Sequence, residues 1–215
     1  MVSVLRPGQR IHHIPGIGVQ TSRRAVSGSA LRIHDQFTDT DGTLLSAHTI
    51  APVNAGAAWT NEASEPGMRI VGNRATPAAG GVSLSRCNSG YADCVVSAVF
   101  THTTVSSSHS VTLAVRQTNS ANYWPIILSN GNFRMYEFNA GAYTLRASAA
   151  FSMVNGASYL VAVTLLGSTI SATVDGGTPI SYASATFNQT AQNHGFRLVA
   201  LAAGAVYADD FKITA

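Results

Sequence analysis

The sequence predicts an all-β chain built as a two-sheet antiparallel sandwich, and three observations predict it. Short runs rich in Val, Ile, Tyr, Phe and Thr recur along most of the chain, several with the apolar–polar alternation of a half-buried strand. The breaks between them carry turn chemistry, as in "NGN", "NAGA", "LGS" and "DGG", each offering Gly or Asn where φ must be positive. No ten-residue stretch holds a helical stripe.

Residues 1–28 stand apart. "RPGQRIHHIPGIGVQTSRRAVSG" has two prolines, repeated Gly and no sustained period, so it reads as an extended arm before a single domain, 29–215. The strand candidates then follow in order: "LRIHDQF", "MRIVGNRAT", "GVSLSRC", "DCVVSAVFTH", "SVTLAVRQT" and "NYWPIILS". After them come "FRMYEF", "AYTLRASA", "SYLVAVTLL", "TISATVD", "TPISYA", "GFRLVALAA" and "VYADDFKIT". In "VTLAVRQT" Val111, Leu113 and Val115 share one face and Thr112 and Ala114 the other. Many such strands, joined by tight turns and without a repeat, predict two stacked sheets of jelly-roll type.

Composition fits a polar, weakly charged β surface. Charged residues make up 11% of the 215 and apolar ones 46%, enough for one sizeable core and too apolar for a disordered chain. The charge is uneven: residues 1–34 hold Arg6, Arg10, Arg23, Arg24 and Arg32 and no acid, whereas all ten acids follow. The arm sets Ile11, Ile14 and Ile17 between basic ends, the pattern of a peptide that docks on a larger assembly. It lacks the aromatic interleaving of a nucleic-acid binder. The chain's start lacks the apolar segment and cleavage site of a secretion signal, and no run approaches a membrane span, so we expect a protein made in a cytoplasm with no membrane insertion. Asn188 in "NQT" matches a glycosylation acceptor by chance on that reading.

The sequence "LAVRQTNSANYWPIILSNGNFRMYEFNAGAYTLRAS", then "SYLVAVTLLGSTISATVDGGTPISY", then "HGFRLVALAAGAVYADDFKIT", resembles the concanavalin A-like, laminin-G-like jelly roll. The resemblance covers roughly residues 31–215. Such domains recur in phage virion proteins, bacterial surface proteins and carbohydrate-binding modules. It implies a structural virion protein (a decoration, fibre or collar component) held to other virion proteins by its arm, facing host surface polysaccharide and working as a homo-oligomer. A free carbohydrate-binding module or lectin is the alternative, and a glucanase-like hydrolase comes third. The family's commonest ion is calcium, which points to Asp35, Asp39, Asp41 and Asp209 as ligands, against roles as turn formers or amide acceptors. No cofactor is otherwise implied.

Glucanase-type enzymes of this fold resemble one another in a strand of alternating acids, Glu-x-Asp-x-x-Glu, because hydrolysis needs two carboxylates across the scissile bond. Here Glu62 and Glu65 sit in a loop, Glu137 stands alone, and the adjacent Asp209 and Asp210 should point to opposite faces of a strand. We therefore expect no enzyme. A glycan platform fits better: Tyr136 and Arg134 on one strand, joined by Tyr143 and Asn122 from neighbouring strands, with Trp124 turned into the core. Packing of these rings within the sandwich is the competing reading. His102 and His109 flank "TTVSSS" and read as surface residues. Cys87 and Cys94 bracket "NSGYAD" and should face each other across a hairpin, where a disulfide and two reduced thiols both fit.

Overall fold

A computed structural model describes residues 29–215 as sixteen strands and one 3-10 turn, Leu45–Ala47. The chain opens with five short strands: β1 (Leu31–Asp35), β2 (Pro52–Val53), β3 (Thr60–Asn61), β4 (Met68–Ile70) and β5 (Ala75–Pro77). Longer ones follow: β6 (Gly81–Asn88), β7 (Cys94–His102), β8 (Ser110–Asn119), β9 (Asn122–Ser129), β10 (Gly131–Asn139) and β11 (Ala142–Phe151). The chain closes with β12 (Ser158–Leu166), β13 (Thr169–Val174), β14 (Ile180–Tyr182), β15 (Asn193–Ala200) and β16 (Val206–Thr214).

All thirteen expected strands are present, and the fold class holds. "MRIVGNRAT" splits into β4 and β5 because Gly72 and Asn73 take positive φ and Val71 N–H bonds Arg74 O. The two-residue β2 and β3 were not legible, since two residues have no period.

One sheet runs β14-β13-β12-β7-β16-β1-β2, with β5 and β4 branching from β16; the other runs β11-β10-β9-β8-β15-β6-β3. Every pairing is antiparallel. Between the sheets lies one apolar core. Alternation puts Val96, Ala98 and Phe100 of β7 inside, and Val111, Leu113 and Val115 of β8 against them. Phe37, Trp59, Phe196 and Phe211 form its aromatic centre, with Trp59 edge-on to Phe196 at 5.2 Å and to Phe211 at 5.0 Å. Each fully buried large apolar side chain there contributes about 1.5–3 kcal/mol.

The expected cysteine hairpin is a crossover instead. Cys87 ends β6 in one sheet and Cys94 opens β7 in the other, so "NSGYAD" carries the chain between layers. Both thiols are free and buried. Cys87 Sγ donates to His194 O, and Cys94 Sγ lies 3.6 Å from His194 Nε2. Burial holds the Cys87 thiol far above its ordinary range and pushes Cys94 up to about 12.

His102 and His109 are buried rather than on the surface, at 1% and 5% exposure. They end β7 and precede β8, strands of different sheets, and pack under the connection between them.

Candidate functional site

The site is the outward face of the seven-stranded sheet, and strand alternation builds it. In β9, Trp124, Ile126 and Leu128 enter the core, as expected, and Tyr123 faces outward. In β10, Phe133 and Met135 point inward, which sends Arg134, Tyr136 and Phe138 outward. β11 pairs Tyr143 with Phe138 and Leu145 with Tyr136, extending the same face. A second apolar cluster results, separate from the core: Leu84, Ala114 and Tyr123, with Phe138 packed on them.

Its open end is an aromatic ledge. Tyr143 is 46% exposed, lies 4.2 Å from Phe138 at 32°, and meets Tyr136 edge-on at 5.5 Å. Arg134 Nη1 donates to Tyr136 Oη at 3.4 Å. Phe138 leads inward to Tyr123, edge-on at 5.2 Å. An exposed ring with guanidinium and phenol groups beside it offers an apolar sugar face a stacking surface and its hydroxyls donors and acceptors.

The sheet's other flank is charged. Thr60 pairs with Arg86 and Glu62 N–H bonds Leu84 O, so Glu62 shares the outward side with Leu84 and Arg86. Its carboxylate takes Arg86 at 3.0 Å and Gln117 Nε2 at 3.3 Å. Gln117 reaches it because β8 bulges at Arg116, whose φ is +49°. That bulge turns the Arg116 guanidinium under the end of the sandwich, where it donates to Asp93 and Gly167 O. Glu65 leaves Oε2 buried without a partner, and burial raises its carboxyl against the pull of nearby Arg197. Burial likewise holds the Tyr123 phenol far above its ordinary range, with Tyr143 adding to the effect.

Sequence reasoning placed Arg134, Tyr136 and Tyr143 together, and they lie together here. Asn122 lies apart: its amide donates to Asn119 Oδ1 and accepts from Ala140 N–H, knitting two hairpin turns. Glu62, Glu65, Arg86, Arg197 and Tyr123 were missed. Alternation within the expected strands was the available signal for Tyr123, Arg86 and Arg197, whereas the glutamates arrive through a segment with no period. The outward faces of β8, β9 and β15 carry no Asp or Glu, and Glu137 points to the inner flank, paired with Arg146 at 2.7 Å.

The four aspartates singled out for calcium do not converge. His48 takes the place of a cation between two of them, with Nε2 2.9 Å from Asp35 and Nδ1 3.0 Å from Asp39. Asp41 accepts from Gly72 N–H instead. Asp209 is elsewhere, bonded to Asp210 N–H. A bulge in β16, with Asp210 at φ +49°, sets both Asp209 and Asp210 on one open polar cavity of about 540 Å³, not on opposite faces. Among the described residues no three His, Cys, Asp or Glu side chains are grouped to hold a metal. The arm residues Arg6, Arg10, Ile11, Ile14, Ile17, Arg23 and Arg24 lie outside the described residues.

No family model matches the chain, and no curated protein matches it. Solved structures do. The carbohydrate binding module CBM66 from Bacillus subtilis is similar over 73% of this chain and 95% of its own, at 13% identity and a TM-score of 0.58. The CBM2 module of the evolved Dit of Lactobacillus casei BL23 phage J-1 matches 86% and 95%, at 10% identity and 0.55. SCLam, a non-specific endo-β-1,3(4)-glucanase of family GH16, matches 88% and 92%, at 8% identity and 0.52. Likeness at such low identity shows a shared fold, and that fold is the concanavalin A-like jelly roll.

Proposed function

We propose that this is a non-enzymatic bacteriophage structural protein whose jelly roll binds a host surface glycan through the outward face of its seven-stranded sheet. The observation that carries the glycan part is the exposed Tyr143 ring, backed by Phe138 and flanked by Tyr136 and Arg134. Aromatic anchors with few rotamers lose little entropy on binding, and this ring is already held in place by its neighbours. The likeness to a phage Dit module supports the virion setting, as does the basic and apolar composition of residues 1–28. In this reading the arm docks on other virion proteins and the sandwich faces outward.

The test has two arms. A glycan array probed with the full chain should return a ligand, and Tyr143→Ala should weaken its binding tenfold or more, the loss expected of an interface anchor. Deleting residues 1–28 should abolish co-sedimentation with particles and leave glycan affinity intact. Glycan binding without any particle association would make the protein a free carbohydrate-binding module.

One observation favours a second reading, a glucanase-like hydrolase: Glu65, its carboxyl raised by burial, lies on the same sheet flank as Glu62. Against it, Glu62 is held by both Arg86 and Gln117. Turnover of β-glucans by the native chain, lost in Glu65→Gln, would establish that reading in place of the first.

A further inference from the structure

A sheet that is not closed into a barrel has edges, and natural sandwiches blunt them with short strands, charges or proline. Among the described residues, three edges follow that rule. β14 has three residues, β2 has two and β3 has two; β4, which ends the side branch, has three. The fourth edge does not. β11 runs ten residues, "AYTLRASAAF", and among the described residues it pairs with β10 alone. It has no proline and no lysine, and all of it is exposed except Arg146, Ala147 and Phe151. Its one charge, Arg146, is bound to Glu137 of its own sheet.

We propose that β11 is a homodimer seam, pairing antiparallel with β11 of a second copy to make one continuous sheet. The strand's pattern suits its own reverse. Pairing with β10 sets Tyr143, Leu145, Ser148 and Ala150 on the outward side and Ala147, Ala149 and Phe151 on the core side. With the twofold axis between Arg146 and Ala147, outward Tyr143 meets outward Ala150 of the second copy, and Leu145 meets Ser148. Core-side Thr144 meets core-side Ala149. Large residues face small ones, sides agree along the seam, and no like charges stand directly opposite. The bulge at Arg146, which shifts the register against β10, falls at the axis, so the change of side it introduces occurs in both copies at one place. Ten residues paired in this way supply roughly ten main-chain hydrogen bonds. A second copy fits better than the chain's own residues 1–28, whose prolines and missing period-2 pattern suit no strand. The inference does not depend on glycan binding, although it would set two aromatic ledges beside each other.

Sedimentation velocity on the full chain at about 50 µM tests it, in the micromolar range where weak dimers form. A dimer is expected. The double variant Leu145→Lys with Ser148→Lys puts like charges opposite each other twice and should sediment as a folded monomer, both positions being exposed. Leu145→Glu with Ser148→Glu should also be monomeric, and mixing the two variants should restore a dimer. A monomeric native chain, a dimer that survives either double variant, or a mixture that stays monomeric would each overturn the seam. So would crosslinks that map residues 1–28 onto β11.

Discussion

His48 Nε2 lies 2.9 Å from Asp35 Oδ1, and both side chains are almost wholly out of water. Burial works against charge on the imidazole, yet Asp39 and Asp35 outweigh it and hold His48 above the ordinary histidine range. His48 in turn helps pull the Asp39 carboxyl below its usual range. Asp35 also accepts from Trp59 Nε1 at 2.6 Å and from Phe37 N–H at 2.9 Å, so one carboxylate ties the first strand to the aromatic centre. Asp35→Ala removes the acceptor, leaves the Trp59 indole N–H unpaired in the core, and leaves buried His48 with Asp39 as its one remaining carboxylate. A loss of about 3–5 kcal/mol in urea unfolding is expected. Asp39→Ala, at the exposed end of the same relay, should cost far less.

Stability should fall on acidification from about pH 6.5 to about pH 4, the two ends of the histidine shifts. Burial, with the Arg116 charge adding to it, lowers His194 to about 4 although Tyr91 O pulls the other way; burial and His109 lower His102 to about 4. His194 is locked neutral by geometry: Arg116 N–H donates to Nδ1 while Nε2–H donates to Tyr91 O. In this window the unfolded chain binds the protons that the native rings refuse, so stability rises with pH. Each group contributes up to about 1.4 kcal/mol per pH unit. His48 acts oppositely: its contribution is complete below the ordinary histidine pKa and is lost as pH rises through its raised one. Urea midpoints measured between pH 4.5 and 6.5 should show the slope, and His102→Phe should roughly halve it. An unchanged slope in that variant would sink the assignment.

Thiol chemistry should separate the folded from the unfolded chain. The thiolate is the nucleophile, and both cysteines are buried and held as thiols. We expect no reaction with an aromatic disulfide reagent in native buffer at pH 8 and two equivalents in denaturant. None in denaturant would mean that Cys87 and Cys94 are bonded.

What could be read from the sequence divides by periodicity. Trp124 in and Tyr123 out followed from alternation, and so did the ledge of Arg134, Tyr136 and Tyr143. Alternation fails at a bulge. Asp209 and Asp210 share a cavity because Asp210 adopts a left-handed backbone, and Gln117 reaches Glu62 because Arg116 does the same. Connectivity was hidden for another reason. "NSGYAD" has hairpin chemistry, but Ser89 N–H bonds Gln192 O of the segment before β15, and the chain leaves its sheet there. Glu62 and Glu65 were unreadable as site residues because their position depends on two residues of β3 pairing with β6.

The same register makes a sharp demand at Gly195. β15 sets it between Arg86 of β6 and Ala114 of β8, beneath the centre of the outward face. A Cβ there would lie 2.0 Å from Ser85 O and 2.7 Å from Arg86 Cα. Both obstacles are backbone, so no side-chain rotation relieves the clash, and β6 and β15 would have to part. Parting them breaks the ladder that carries Leu84 and Arg86 to the face and loosens the packing of Phe196 next to it. Gly195→Ala should therefore destabilise by about 3 kcal/mol or more, in the range of overpacked core positions. Gly141→Ala is the control: it has φ of +82° but nothing within 4 Å, so its cost should be backbone strain alone, about 1 kcal/mol. Thermal melts of the two variants decide the matter, and equal losses would mean that the strands part easily at Gly195.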